Sequence, residues 1–385
     1  MLNITRNKEE KSMKRVFILG AGASRELNFN ITGIDSGIEP PIRTIPHREI
    51  GPLSNGYFYH INRLQDSLTR DLRVSASVGV SDNLMNQIKL YFKQKYNENI
   101  SKEDLLNEEV ISKKINIERL YIFLEEKILE KEKENVDFFK NKSLQNLYLT
   151  KSDLIEYIHN SMSYISYYCI SINHATLSKY IIENGGDIIS FNWDILFEEA
   201  MMSTGKWTPQ DGYGISFTDI IYKNEGDEAR EILLKVNPKN LILKPHGSIN
   251  WYNKDDKINK QRLLIQLALR LRGGNFLLLE RQENSYLSSI IPPGKKRKSF
   301  PGVWDNMKRL LEEADEIIAI GFSFNDNDKY IKEEFDRIKF KKDLKIIIVN
   351  PNNEELKEIY KAIFCTDNIC MAYKTFSEYC RWINK

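Results

Sequence analysis

Five short polar clusters, each closing an apolar run, hold most of the residues in this chain that could do chemistry. Val16–Leu19 opens into Gly20-Ala21-Gly22-Ala23-Ser24, and Asp187–Phe191 gives way to Asn192-Trp193-Asp194. Leu241–Leu243 leads into Lys244-Pro245-His246-Gly247-Ser248, Ile317–Ile320 into Gly321-Phe322-Ser323-Phe324, and Ile346–Val349 into Asn350-Pro351. Two glycines let a backbone turn tightly and approach a ligand, and a helix starting after them would present amide N–H groups to phosphate oxygens. The same small residues would equally serve close packing of helix on strand. Asn192 and Asp194 can hold a polar ligand or cap the helix that follows. His246 lies between a proline that stiffens the chain and a glycine that opens space. It can face a cleft and exchange a proton near neutral pH, or be hydrogen-bonded inside the core. Gly321, Ser323 and Asn350 add groups suited to a ribose or the edge of a base.

Positioning these clusters requires a particular scaffold. Short apolar runs, each ending in a turn and mostly followed by helix-like segments, are the pattern of a parallel sheet buried on both faces. The expected fold class is therefore α/β: a three-layer, Rossmann-like parallel sheet, in which ligands sit beyond the carboxyl ends of the strands. The segments FEEAM after Asp194, 304–314 and 353–364 supply covering helices. Between 61 and 182 apolar residues recur among charges at helical spacing, which predicts a helical insertion or subdomain after the first strand. Residues 28–60 are rich in Gly, Pro, Asn and Ile and read as a long irregular loop of functional kind. Residues 1–13 read as a tail, leaving 14–60 and 183–385 as the sheet domain.

Composition narrows the classes. With 385 residues, 41% hydrophobic and 29% charged, the chain is a globular protein of two or three structural units, and no run of apolar residues is long enough for a membrane span. Fifty-six basic against 54 acidic residues leave a formal charge of +2, so no global basic field favours direct nucleic-acid binding. The tetrad Lys295-Lys296-Arg297-Lys298 reads as a solvated turn. Four cysteines, Cys169, Cys365, Cys370 and Cys380, are too far apart for paired Cys-x-x-Cys zinc spacing and read as free thiols of a reducing compartment. The polar N-terminus lacks the apolar segment of a signal peptide, so a cytoplasmic location is expected. The glycine turn also departs from the dehydrogenase fingerprint: Arg25 stands at its sixth position, and no acidic residue ends a second strand about 20 residues on. Hydride transfer is disfavoured.

Taken in order, Gly-Ala-Gly-x-Ser, Asn-x-Asp, Pro-His-Gly-Ser, Gly-x-Ser and a strand-ending Asn resemble the sirtuin-like NAD-binding domains over 14–60 and about 183–373. The sequence looks closest to the bacterial sirtuin-like proteins of antiviral defence, which hydrolyse NAD and often work beside a partner ATPase, nuclease-like protein or sensor. By that resemblance Asn192, His246 and Asp194 are the catalytic positions on the nicotinamide-ribose side. Gly20, Ala21, Gly22, Ala23 and Ser24 form the diphosphate turn, with Arg25 and the loop behind it covering the cofactor. Gly321, Ser323 and Asn350 fall on the adenosine side. The resemblance implies NAD as the substrate of an antiphage NAD+ hydrolase, without zinc, in a homo-oligomer or gated by a partner such as an ATPase, translocase or phage sensor. Two other readings remain: an NAD-dependent protein deacylase, which the missing cysteine pairs disfavour, and a non-catalytic nucleotide-binding scaffold.

Overall fold

A computed structural model describes residues 13–29, 48–49, 55–72, 79–134, 138–216, 219–222, 238–255, 261–267, 286–290, 300–324 and 329–385. Residues 1–12, most of the 28–60 loop, the Lys295 to Lys298 tetrad and Asn325 to Asp328 lie outside them. In chain order the strands are β1 (Arg15–Leu19), β2 (Glu26–Phe29), β3 (Arg48–Glu49), β4 (Cys169–Ile170), β5 (Asp187–Ser190), β6 (Asp219–Tyr222), β7 (Ile242–Leu243), β8 (Gly247–Asp255), β9 (Gln261–Leu267), β10 (Tyr286–Ile290), β11 (Glu316–Ile320), β12 (Lys345–Val349) and β13 (Ile369–Tyr373).

Six of these form one parallel sheet in the order β7-β5-β1-β11-β12-β13. Counted by appearance within that sheet, the order is 3-2-1-4-5-6, the Rossmann arrangement, so the α/β class expected from the apolar runs is the observed one. The direction of winding reverses between β1 and β11, where Leu19 pairs with Ile320. Right-handed crossovers then put the connections of β1, β5 and β7 on one face and those of β11, β12 and β13 on the other. β1 is buried from Val16 to Leu19 and β11 throughout, as a doubly covered sheet demands. The helices Pro301–Glu313, Asn353–Phe364 and Phe376–Ile383 share its core, and Thr375 and Glu378 close a capping box on the last.

A second core belongs to the helices Tyr57–Leu72, Asp82–Tyr96, Lys102–Asn107, Ile117–Glu132 and Lys142–Tyr168. Phe58, Ile61 and Leu64, or Leu84, Ile88 and Phe92, lie one turn apart and make one apolar face per helix. Ser81, Ser101, Asn116 and Asn141 cap four of these helices through side-chain oxygens. This core is not self-contained, since Trp193, Ile195, Leu196 and Ile249 from the sheet side enter it. The first helix starts at Tyr57, inside the stretch read as loop, because Gly56 at φ +72 is the last turn residue before the apolar spacing begins. The 154–183 segment, read as helical, is interrupted at Cys169–Ile170. These residues pair with β2, and Ser171 then caps a new helix, Ile172–Asn184.

A mixed four-stranded sheet, β10-β8-β9-β6, was not foreseen. Among the described residues, no helix is long and apolar enough to cross a membrane.

Candidate active site

The reversal point places the turn after β1 against the turn after β11. Gly20 N–H donates to Ile320 O at 3.0 Å and Gly22 N–H to Gly321 O at 3.2 Å. A Cβ on Gly20 would stand 2.4 Å from Gly321 O, and one on Gly321, whose φ is +62, would stand 2.3 Å from Ala23 N. The glycines are therefore required by two backbones pressed together, whatever else they bind. The expected helix after this turn is absent: Ala21–Ser24 is one 3-10 turn running into β2, and Ala23 N–H is used on Gly20 O at 2.9 Å. The six residues from Gly20 to Arg25 between the two strands leave no room for a longer helix.

Asn192 stands at the seam of the two cores. Phe191 before it packs in the sheet core and Trp193 after it in the helical core, so the chain is clamped on both sides. Its Nδ2 donates to Gly20 O at 2.9 Å and to Ser24 Oγ at 3.0 Å, while Ser24 Oγ donates to Asp194 Oδ2 at 2.9 Å. Asp194 Oδ1 accepts from Leu196 N–H at 3.1 Å, a local turn just before the helix Leu196–Ser203, whose N-cap position is Ile195 and not Asp194 or Asn192. Asn192, Asp194, Gly20 and Ser24 thus form one buried, hydrogen-bonded group beyond the ends of β1 and β5.

Beneath it lies Lys244, fully buried, whose Nζ donates to the Asp194 main-chain oxygen and to Glu198 Oε1 at 2.7 Å. Burial raises the Glu198 carboxyl above its usual range, with Lys244 pulling it down. Tyr213 donates to Glu198 Oε1 at 3.3 Å, and Asn250 Nδ2 donates to the Tyr213 hydroxyl at 3.1 Å. Nearby His174, completely enclosed, is held at about 4 by burial, partly offset by the Asp194 charge. Neither Lys244 nor Glu198 was anticipated. A lysine directly after an apolar strand run, with an acid four residues beyond Asp194, is the signal that could have revealed them.

His246 follows from turn chemistry. Gly247 N–H bonds to Lys244 O at 3.0 Å, with Pro245 second in the turn and Gly247 at φ +73 leading into β8. The imidazole is 3% exposed and packs edge-on to Phe191, ring centroids 5.1 Å apart. Phe191 in turn stacks on Phe322 at 4.7 Å and 17°, spanning from the end of β5 to the end of β11. Burial lowers the His246 pKa to about 3, opposed by a hydrogen bond with the Phe191 backbone. Its Nε2 is hydrogen-bonded to the Tyr330 hydroxyl. His246 is thus joined to Asn192 through Phe191.

Beyond β11, Tyr360 donates to Phe322 O at 2.8 Å, and Phe324 holds the uncommon φ of +49 with its ring buried against Phe322, Phe335 and Tyr360. Ser323 lies half-buried between these phenylalanines. Arg25 is half-buried, and its charge reaches His60 at the start of the helical core. Asn350 does not join the group: its Oδ1 accepts from Asn352 N–H at 3.0 Å and shapes the local turn. Among the described residues no cluster of His, Cys, Asp and Glu could hold a metal ion.

No protein-family model matches this sequence, and no curated protein matches it. Solved structures similar to the chain include a mutant Sir2 homologue in complex with ADP-ribose, at TM-score 0.36 and 13% identity over 64% of this chain and 82% of that one. Another is a Sir2 homologue in complex with NAD, at TM-score 0.35 and 13% identity over 63% and 75%. A third is a mutant Sir2 homologue with 2'-O-acetyl ADP-ribose, at TM-score 0.34 and 14% identity over 63% and 78%.

Proposed function

We propose that the chain is an NAD+ hydrolase, converting NAD+ and water to ADP-ribose, nicotinamide and a proton. The observation that carries this reading is the hydrogen-bonded set Gly20, Ser24, Asn192 and Asp194, joined through Phe191 to His246, at the reversal point of a Rossmann-ordered sheet.

Nicotinamide leaves NAD+ as a neutral molecule, so breaking its bond to ribose needs little acid help. The demand is for polar groups that stabilise an oxocarbenium-like ribose and for a base that takes the proton of the attacking water. Asn192, clamped by its two aromatic neighbours, orients the carboxamide or the water. Asp194 supplies negative charge beside the developing cation. Burial keeps His246 neutral at physiological pH, so its imidazole can accept that proton. The glycine turns on β1 and β11 admit the diphosphate, with Gly321 and Ser323 toward the adenosine.

The order of motifs supports a place in bacterial antiviral defence, in the cytoplasm, with activity released by assembly or by a partner protein. Incubating the purified chain with NAD+, with and without an acyl-lysine peptide, tests the reaction. Equal amounts of nicotinamide and ADP-ribose without peptide are expected. Turnover only with peptide would make it a deacylase, and no consumption under any condition would leave a scaffold.

A further inference from the structure

We propose that Tyr330 is an internal competitor of the substrate for His246. It sits on the helix Lys329–Phe335, which Ile331 and Phe335 anchor in the sheet core, and its hydroxyl is bonded to His246 Nε2. The phenol hydroxyl bonded to Nε2 occupies the ring nitrogen that would otherwise receive a proton from water or a ribose hydroxyl. The His246 ring itself is buried, whereas Tyr330 is half-buried and faces Trp304, ring centroids 6.1 Å apart. The other candidate groups are satisfied in the same inward way: Asn192 on Gly20 and Ser24, and Ser24 on Asp194. The structure is therefore a closed state, and Tyr330 is the member of the closure that comes from outside the strand ends. Binding must exchange the phenol for a substrate hydroxyl. A protein whose competent state is only fractionally populated shows affinity reduced by that fraction.

This inference rests on the NAD+ hydrolase reading, and its test separates the two. Tyr330→Phe keeps the ring packing and removes only the hydroxyl. Titration calorimetry with ADP-ribose on the wild-type chain and the variant reads affinity without turnover, and steady-state NAD+ cleavage reads kcat and KM. Losing one neutral hydrogen bond from the closed state corresponds to a gain of about 2- to 10-fold. The variant should bind ADP-ribose tighter by that factor and show a lower KM with kcat unchanged or raised. Equal or weaker ADP-ribose binding by Tyr330→Phe, or a lower kcat, overturns the competitor role alone. Failure of both proteins to bind ADP-ribose overturns the hydrolase reading and the inference with it. Matching thermal melts confirm that the comparison is between folded proteins.

Discussion

Asn192 Nδ2 lies 2.9 Å from the Gly20 carbonyl oxygen, although 172 residues separate the two in the chain. That contact fastens the end of β5 to the turn after β1. Ser24 completes it as acceptor from Asn192 and donor to Asp194. Replacing Ser24 by Ala leaves a buried carboxylate oxygen short of a donor, a loss of about 1 to 3 kcal/mol. The Ser24→Ala protein should remain folded in denaturant titrations yet cleave NAD+ at least about 10-fold more slowly, and an unchanged rate would remove Ser24 from the site.

Lys244 ties Glu198 to the Asp194 backbone with all three groups out of water. Lys244→Met strands the Glu198 charge and should reduce stability by about 3 to 5 kcal/mol, the cost of an orphaned buried ion. Adding Glu198→Gln should recover part of that loss. Denaturation midpoints of the two singles and the double measure the coupling, and strict additivity would contradict the pairing.

Gly321→Ala meets Ala23 N at 2.3 Å and Gly22 C at 2.4 Å in a left-handed backbone. Both neighbours are main chain, which cannot swing aside. The substitution should lower stability by about 1 to 3 kcal/mol or more and weaken ADP-ribose binding, because the two turns must part to admit it. A variant with wild-type melting temperature would show that the turns do not press together.

Burial holds His60, His159 and His174 at about 4 and His246 at about 3, all below the ordinary 6.5. The unfolded chain therefore takes up more protons than the folded one between those values. Stability contributed by the neutral rings is complete above about pH 6.5 and is lost as the pH falls toward 4, with a limiting slope of about 1.4 kcal/mol per pH unit for each ring. The raised Glu198 carboxyl works in the opposite sense. Thermal melts from pH 7.5 to 4.5 should show a steady fall, shallower in His174→Phe. A flat profile would mean that these rings are hydrated.

The strand ends were legible because short apolar runs closed by Gly, Asn or Pro have few other uses in a protein of this size. Val16–Leu19 and Ile346–Val349 fall in the strands they predict, and the Asp187–Phe191 run does so up to Ser190. Their order in the sheet, which brings Gly20 beside Gly321 and Asn192, depends on pairings across the chain that no local pattern encodes. The same limit hid the Lys244 to Glu198 pair, 46 residues apart, and Tyr330 on His246, 84 apart. Asn350 ends its strand as expected, and the turn in which its Oδ1 accepts from Asn352 N–H is a local feature that the strand pattern did not indicate. The glycine turn was read with both alternatives open, and backbone packing accounts for both of its glycines.

Turnover of NAD+ by the wild-type chain against Asn192→Ala and His246→Ala, with nicotinamide release followed by chromatography, bears most directly on the shared site. Each substitution should reduce kcat/KM by roughly 100-fold or more, the range that general-base and preorganised polar groups supply. Near-normal NAD+ cleavage by the protein carrying both substitutions would show that the amide and the imidazole do not act on one dinucleotide.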